Sequence, residues 1–280
     1  MKIIIIGLGL IGGSIAKTLS SLEDYETLAL DSDQNSIKNA LDNQSIQGSL
    51  HSLNDLRNSE YEDSIVIIAT PPRATDNILK SLDFLFNSSV TITDTTSTKS
   101  SLNKTLQKLN FPNNFIFSHP VAGSHLSGEK NSVVDLFKEK STILSHHDSV
   151  LSKHLDRVKK LWNTLGSNIT VFDAQQHDQI FAYSSHLPHV VAYALLNTLK
   201  ELERDDLSDF SGGGLGEFLR LVSSSPEIWS DIFSINQKNI VSAIDDLMKN
   251  LSVLKNKIGN DSQSLQTFLS ELKDFKESNY

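Results

Sequence analysis

The sequence predicts an α/β domain built on a mainly parallel sheet, followed by an all-α C-terminal domain. Over residues 1–173, short apolar runs alternate with helical stretches, as in a parallel sheet flanked by helices. A glycine-rich turn follows the first apolar run. From about Asp173 onward no strand-like run appears, and helical periodicity continues to the C-terminus. We therefore expect a dinucleotide-binding domain over 1–173 and an all-helical substrate and dimerisation domain over 174–280.

Seven apolar runs of the first domain are predicted strands. The first and third, IIII and IVIIA, are apolar nearly throughout, which is typical of strands covered on both faces, so we expect them in the middle of the sheet. Pro71 and Pro72 end the third run. The predicted strands are Lys2–Ile6, Thr27–Leu30, Ser64–Ala69, Val90–Thr93, Asn114–Phe117, Ser141–Leu144 and Asn168–Phe172.

In the helical domain, one apolar stripe has the spacing of a contact face. Its members are separated by alternating steps of four and three residues, so one partner helix could cover them. The stripe is either buried inside its own domain or part of a homodimer contact. It consists of Ile240, Ile244, Leu247, Leu251, Leu254 and Ile258.

Composition narrows the class of partner. The net charge of −9, without a Lys/Arg cluster, argues against nucleic acid and against a polybasic membrane surface. The lack of cysteine excludes disulfides and thiolate chemistry and permits a reducing compartment. The N-terminal apolar run superficially suits a secretory signal, but it is too short to span a bilayer and has an ordered glycine spacing. We expect a cytoplasmic protein whose partner is a small molecule.

The glycine turn reads GLGLIG and fits the G-x-G-x-x-G pattern of a Rossmann-type dinucleotide-binding domain. In that pattern Gly7 makes the tight turn, Gly9 lets a pyrophosphate approach the backbone, and Gly12 lets the helix pack on the strand. Asp31 ends the second predicted strand, where a carboxylate accepts the ribose hydroxyls and repels a 2′-phosphate, which favours NAD over NADP. The alternative is a glycine turn without a ligand. The predicted cofactor-binding residues are Gly7, Gly9, Leu10, Ile11, Gly12, Asp31, Ala69, Thr70 and Pro71.

Two motifs follow later strands at the edge of the sheet where open α/β proteins bind ligands. TDTTSTK places Asp94, Ser97 and Lys99 there, although Ser97 alone could be a helix N-cap. SHPVAGSHLSG places His119 before a proline that fixes its loop, which makes it a candidate general base. A lone surface histidine is the simpler interpretation.

Two further motifs lie in the helical domain. HDQIFAYSSHLPH contains His177, His186 and His189. The i, i+3 spacing of His186 and His189 also suits a metal, but no carboxylate close to them in the sequence completes a site, and we predict no metal. SGGGLGEFLRLV contains Arg220 within an apolar run, where a guanidinium needs an anion, either a structural carboxylate or a substrate.

Together these motifs resemble the prephenate/arogenate dehydrogenase family. GLGLIGGS, D-x-x-S-x-K, HPVAGSHLSG, SHLPH, and GGG…R followed by P-E-I-W-x-D-I-F occur in this order across almost the whole chain. The resemblance implies NAD-dependent oxidative decarboxylation of prephenate or arogenate in tyrosine biosynthesis, by a homodimer joined through its helical domains. It also implies that His119 is catalytic, with Ser97 beside it at the substrate hydroxyl. The implied substrate-binding residues are His189, Arg220, Ser185 and His186.

The sequence departs from the family pattern in two of its motifs. His125 stands where an acidic residue is usual, and Leu215 and Glu217 replace residues of a G-F-x-D-x-T-R pattern. These changes bear on substrate preference rather than on the class of reaction. The given sequence lacks the further ~70 residues that a separate domain would need, so we expect no fused mutase or regulatory domain.

Two other functions fit the same architecture. A β-hydroxyacid dehydrogenase relies on a lysine in a glycine-led helix of its second domain, and no lysine lies between Gly212 and Trp229. A non-catalytic NAD-binding sensor is the alternative from a different class.

Overall fold

In the computed structural model the described residues are 1–122, 128–204, 206, 209, 212–260 and 262–280. His125 is outside this set. Packing divides the chain into two compact units, residues 1–236 and 237–280. The first unit thus contains the sheet together with the helices up to residue 235. The predicted domains, 1–173 and 174–280, describe a division of function and stay a prediction.

The sheet of the first unit has eight strands in the order β3-β2-β1-β4-β5-β6-β7-β8. The predicted runs all form strands, within one or a few residues of the expected ends. The two-residue β3 was not predicted, because a run that short carries no hydrophobic pattern. The strands are β1 (Lys2–Ile6), β2 (Glu26–Leu30), β3 (Gly48–Ser49), β4 (Ile65–Ile68), β5 (Thr91–Asp94), β6 (Phe115–Pro120), β7 (Ser141–Ser145) and β8 (Asn168–Val171).

The strands β1 and β4 lie side by side in the middle of the sheet, as their composition predicted. Ile3 and Ile5 of β1 belong to one buried cluster, and Ile4 and Ile6 belong to the cluster on the opposite face. Both faces of these strands are therefore covered. Burying a branched side chain of this size contributes about 2 kcal/mol.

One strand pair departs from the parallel arrangement expected. β6 and β7 are antiparallel, whereas all other paired strands are parallel. A parallel pair needs a crossover, usually a helix, and among the described residues between β6 and β7 only the 3₁₀ turn Glu129–Asn131 is helical. The helix α5 (Ser152–Thr164) then provides the crossover that makes β8 parallel to β7.

Helices follow most strands of the sheet and then continue alone. A π-helical turn, Ala182–His186, joins α6 (Ala174–Phe181) to α7 (Leu187–Lys200). The helices are α1 (Leu10–Leu19), α2 (Gln34–Asp42), α3 (Pro72–Ser81), α4 (Ser100–Lys108), α5 (Ser152–Thr164), α6 (Ala174–Phe181), α7 (Leu187–Lys200), α8 (Gly213–Leu219), α9 (Pro226–Ile235), α10 (Gln237–Asn260) and α11 (Ser262–Asn279).

The second unit consists of α10 and α11, and α10 contains the whole predicted apolar stripe. Ile240 is buried, but Leu251 and Ile258 are more than half exposed. Burial inside the domain therefore does not account for the entire stripe. On α11, Leu272 and Phe275 are also exposed. No helix in the described parts of the chain is both long and apolar enough to cross a bilayer.

Candidate active site

A cleft of about 980 Å³ lies at the carboxyl edge of the sheet and is lined by side chains of the first unit. It unites residues from distant motifs of the sequence, as expected for ligand sites of open α/β sheets. Most of the predicted site residues line it, namely Gly9, Leu10, Ile11, Ala69, Thr70, Pro71, Ser97, His119, Ser185, His189 and Arg220.

The glycine turn between β1 and α1 has the geometry that the spacing predicted. Gly7 has a φ of 99°, and a Cβ on it would lie 2.6 Å from the carbonyl oxygen of Ala69. A Cβ on Gly12 would lie 1.9 Å from the carbonyl oxygen of Gly7. A Cβ on Gly9 would meet nothing within 4 Å. Gly7 and Gly12 are thus required by close packing inside the protein, and Gly9 presents its backbone to the cleft.

Asp31 is beside this turn rather than in the cleft wall. One carboxylate oxygen accepts the N–H of Leu8 at 2.6 Å, and the other accepts the N–H of Asp33 at 2.8 Å. The carboxylate therefore fixes the turn, and each oxygen keeps a second lone pair for a further donor.

His119 occupies the end of β6 and is buried, although it lines the cleft. Its Nδ1 lies 2.8 Å from Nε2 of His177. The Nδ1 of His177 in turn lies 2.8 Å from Oδ1 of Asp178. Burial, together with the nearby His177 and Lys99, holds the pKa of His119 well below its usual range. The imidazole is consequently neutral at neutral pH.

The carboxylate of Asp178 accepts more than the bond from His177. The backbone N–H groups of Lys99 and Ser100 donate to it, both at 2.8 Å, and so does the Ser100 hydroxyl. Burial raises the pKa of Asp178, but the hydrogen bonds from His177, Ser100 and Lys99 outweigh it and leave the pKa lowered. The group is ionised, and it joins α6 to the N-terminus of α4.

Asp94 and Lys99 form a buried ion pair below the cleft. The Nζ of Lys99 lies 2.6 Å from Oδ2 of Asp94 and donates to the carbonyl oxygen of Ser118 at 2.6 Å. The hydroxyl and the carbonyl of Thr96 are also within hydrogen-bond distance of Nζ. These two members of the TDTTSTK motif thus support the loop instead of facing a ligand.

Ser97 lies in this loop and lines the cleft. The N-cap position of α4 is occupied by Lys99, and the first N–H groups of the helix bond to Asp178. The interpretation of Ser97 as a helix N-cap is therefore wrong. Its side chain stays a candidate for ligand contact.

His189 faces the cleft from α7, one turn beyond the π-helical segment. Its Nδ1 lies 3.0 Å from the carbonyl oxygen of Ser185, so this nitrogen carries the proton, and its ring stacks on Trp229 with centroids 3.5 Å apart. Burial lowers the pKa of His189 despite the bond to Ser185. The ring is thus held rigidly in its neutral form.

Arg220 follows α8 and lines the same cleft. Its Nε lies 3.8 Å from a carboxylate oxygen of Glu217, and both side chains are more than half exposed. An exposed pair at this distance contributes little stability. The guanidinium therefore keeps N–H donors for an anion in the cleft. A Cβ on any of the glycines of the GGGLG stretch before Arg220 would meet nothing within 4 Å, so packing does not require them.

His186 is the predicted substrate residue that the structure does not bring to the cleft. Its side chain is buried, with Nδ1 3.1 Å from Nδ2 of Asn236 and its ring edge-on to Trp229. Burial lowers the pKa of His186 to about 4. Ser185 and His189, four residues apart, share the helical face that lines the cleft, whereas His186 lies one residue further along and turns inward. A direct contact with substrate at His186 has no support in this geometry.

Sequence reasoning assigned no role to four residues of the site. His177, Asp178 and Phe181 lie behind His119, and Trp229 lies against His189. The signal in the sequence was the pair of adjacent residues His177 and Asp178 near the start of a predicted helix, where a carboxylate can bond the neighbouring imidazole. The distance between His177 and His119 in the sequence conceals the pair.

Two family models match the chain. One, described as the nucleotide-binding domain of prephenate dehydrogenase, matches residues 15–171. The other, described as the prephenate dehydrogenase dimerization domain, matches residues 173–274. Together they extend over both predicted domains.

Individual relatives agree with these models. Cyclohexadienyl dehydrogenase of Zymomonas mobilis is 29% identical over 280 residues, covering 99% of this chain and 93% of the relative. Prephenate dehydrogenase of Lactococcus lactis is 28% identical over 284 residues, covering 99% and 77%. The crystal structure of prephenate dehydrogenase from A. aeolicus with hydroxyphenyl propionate and NAD⁺ has a TM-score of 0.91 and 31% identity, covering 99% of this chain and 98% of that one.

Proposed function

The chain belongs to the prephenate dehydrogenase family, and from that premise we propose that it catalyses the NAD-dependent oxidative decarboxylation of prephenate, or of arogenate, in tyrosine biosynthesis. The observation that carries the proposal is the cleft itself. It combines the glycine turn with a buried neutral histidine and an arginine with free donors.

The residues of the glycine turn fit NAD. Gly9 leaves its backbone open at the N-terminus of α1, a position that favours a pyrophosphate, and no acidic side chain lies in the first turn of that helix. Asp31 at the end of β2 supplies the carboxylate for ribose hydroxyls. Ala69, Thr70 and Pro71 form the adjoining wall. NAD held by these residues would supply the hydride acceptor for the reaction.

The substrate is a cyclohexadienol with a ring carboxylate and a hydroxyl on the opposite ring carbon. When the carbinol carbon gives up its hydride, the ring carboxylate leaves as carbon dioxide and the ring becomes aromatic. Aromatisation provides the driving force, so the protein mainly aligns the reactants. Neutral His119 accepts a hydrogen bond from the substrate hydroxyl and stabilises the positive character that develops at the carbinol carbon. Ser97 orients the same hydroxyl.

Arg220 holds a substrate carboxylate on the other side of the cleft, since a guanidinium gives two parallel hydrogen bonds to a carboxylate. His189, fixed by Trp229 and the Ser185 carbonyl, positions the substrate beside it. A homodimer through the helical domain is part of the proposal, supported by the dimerization-domain match and the exposed apolar residues of α10. A cytoplasmic location is also part of the proposal, and the lack of cysteine is compatible with it.

Incubation with NAD and either prephenate or arogenate tests the function. We expect NADH, followed by its absorbance, to appear together with one equivalent of carbon dioxide, and the comparison of the two substrates identifies the preferred one. The His119→Asn variant is the control for non-enzymatic decay of the substrate. If neither compound yields NADH while NAD still binds, the protein is the non-catalytic sensor considered above.

A further inference from the structure

His177 and Asp178 connect the two predicted catalytic segments of the cleft. We propose that Asp178, acting through His177, holds His119 in the tautomer whose Nε2 accepts a hydrogen bond from the substrate. Both are then positioning residues for the reaction. This inference rests on the proposed function, because it concerns the same imidazole.

The hydrogen-bond chain determines the position of each proton. An ionised carboxylate only accepts hydrogen bonds, so Nδ1 of His177 carries a proton and donates it to Asp178 at 2.8 Å. A neutral His177 then has a bare Nε2, which accepts a proton from Nδ1 of His119 at 2.8 Å. The remaining ring nitrogen of His119, Nε2, is consequently unprotonated. This is the nitrogen that an acceptor of the substrate hydroxyl requires.

The Asp178 carboxylate, at one end of this series of hydrogen bonds, is held firmly. The N–H groups of Lys99 and Ser100 and the hydroxyl of Ser100 donate to it, in addition to His177. The Nδ2 of Asn236 donates to the main-chain carbonyl of Asp178 at 2.8 Å. Charge-assisted bonds of this number keep the group ionised and its oxygens in place. The direction of the hydrogen bonds that run from His119 through His177 is therefore fixed at Asp178.

Aromatic packing fixes the rings. The ring of Phe181 stacks on His177, with centroids 4.4 Å apart, and lies 4.5 Å from the ring of His119. His177 and Asp178 are both fully buried. Neither imidazole can rotate without displacing Phe181, so the tautomer and the orientation of His119 are set together.

The same carboxylate also holds the segment that bears Ser97. Because Lys99 and Ser100 both donate to Asp178, the loop before α4 is tied to α6. One anion thus fixes the acceptor nitrogen of His119 and the loop of Ser97, the two groups assigned to the substrate hydroxyl. Groups behind a catalytic or metal-bound histidine commonly have this effect on its tautomer.

Substitutions at His177 separate tautomer control from packing. In His177→Gln the amide oxygen can still accept from Nδ1 of His119, whereas His177→Leu offers no acceptor. We expect His177→Leu to lower kcat by about 10- to 100-fold with the KM for NAD within about twofold, and His177→Gln to recover most of the loss. Asp178→Asn should lower kcat at least as much, because an amide that donates to His177 reverses the direction of both hydrogen bonds and moves the proton of His119 to Nε2. The matched control is His154→Gln, a buried histidine that bonds Thr91 away from the cleft and should keep full kcat.

Nitrogen-15 NMR of the histidines supplies a readout independent of turnover. We expect His119 of the wild-type protein to be protonated on Nδ1 and bare on Nε2, and the Asp178→Asn variant to show the opposite state or a mixture. The proposal is overturned if wild-type His119 carries its proton on Nε2, or if folded His177→Leu and Asp178→Asn keep the wild-type kcat. If the wild-type protein oxidises neither cyclohexadienol, the proposed function fails, and the NMR spectrum still decides the proton positions.

Discussion

The ammonium group of Lys99 donates to the main-chain carbonyl of Ser118 at 2.6 Å, directly before His119 in the chain. The same ammonium lies 2.6 Å from Oδ2 of Asp94, and the other oxygen of Asp94 accepts the N–H of Ser118 at 3.2 Å. A buried ion pair therefore joins the end of β5 to the end of β6. It sets the backbone position of the predicted catalytic histidine.

Lys99→Met should destabilise the protein strongly, because it leaves the Asp94 charge buried without its partner. We expect a loss of about 3–5 kcal/mol in the free energy of unfolding, measured by urea denaturation. Lys273→Met is the control, since Lys273 forms an exposed ion pair with Glu277 within one helix and its substitution should cost about 0.5 kcal/mol or less. Equal losses in the two variants would argue against a special role for the buried pair.

His119→Asn should lower kcat by about 10²–10⁴-fold while the dissociation constant of NAD stays close to normal. In the proposed mechanism the imidazole is the acceptor for the substrate hydroxyl, whereas the glycine turn binds the cofactor. Turnover assays and NAD titration measure the two effects separately, with the exposed His147→Asn as the control. Unchanged turnover would remove His119 from the mechanism.

Arg220→Gln should mainly raise the KM of the substrate, by about 10- to 100-fold, because it removes a charged hydrogen bond to a carboxylate. Stability should change little, since the pair with Glu217 is exposed. Steady-state kinetics and thermal unfolding test both expectations, and Arg57→Gln, whose guanidinium lies over the ring of Phe84, is the control. If Arg220→Gln fails to fold, the structural interpretation of this arginine is correct.

Asp31→Asn should weaken both NAD binding and the discrimination against NADP. The substitution removes the charge that repels a 2′-phosphate, and it places an amide N–H against the N–H of Leu8 or Asp33. We expect a loss of NAD affinity of about tenfold, measured by titration with each cofactor. Asp33→Asn, which preserves a good N-cap for α2, is the matched control. A variant that still excludes NADP would show that another group sets the preference.

Acid should destabilise the folded chain through two buried histidines. Burial lowers the pKa of His154 and that of His186 to about 4 each, while an unfolded histidine titrates near about 6.5. The unfolded state therefore binds more protons between these values, and stability is complete above the upper one and declines as the pH falls toward 4. Between about pH 7 and pH 5, each of the two histidines should lower the free energy of unfolding by about 1–2 kcal/mol. Urea denaturation at both pH values tests this, and His154→Gln should flatten the dependence.

The elements that sequence predicts best here are those specified by local pattern. The run from Lys2 to Ile6 and the spacing of Gly7, Gly9 and Gly12 define a strand and a turn by themselves, and the structure has both. The antiparallel β7 could not be predicted, because the direction of a strand depends on the path of the connecting chain and not on the composition of the strand.

Prediction of the site from the sequence had the same limit, since it succeeded only for residues marked by their local sequence. His119 and Arg220 were found because each is unusual in its own surroundings, and both line the cleft. His186 was assigned to the substrate together with its neighbour Ser185, although adjacent residues of a helix point in directions about 100° apart, and the π-helical turn that contains both was not predicted. The partnership of His177 with His119 depends on a contact over 58 positions of the chain.

The near-contact of Gly12 with the carbonyl of Gly7 also limits how this enzyme can be redesigned. A methyl group on Gly12 would push α1 away from the turn, and one on Gly7 would meet the carbonyl of Ala69, so neither position can be substituted without shifting the backbone. An engineer who wishes to exchange one dinucleotide for the other has to work from the far end of β2, on the stretch from Asp31 to Gln34, and leave the turn untouched.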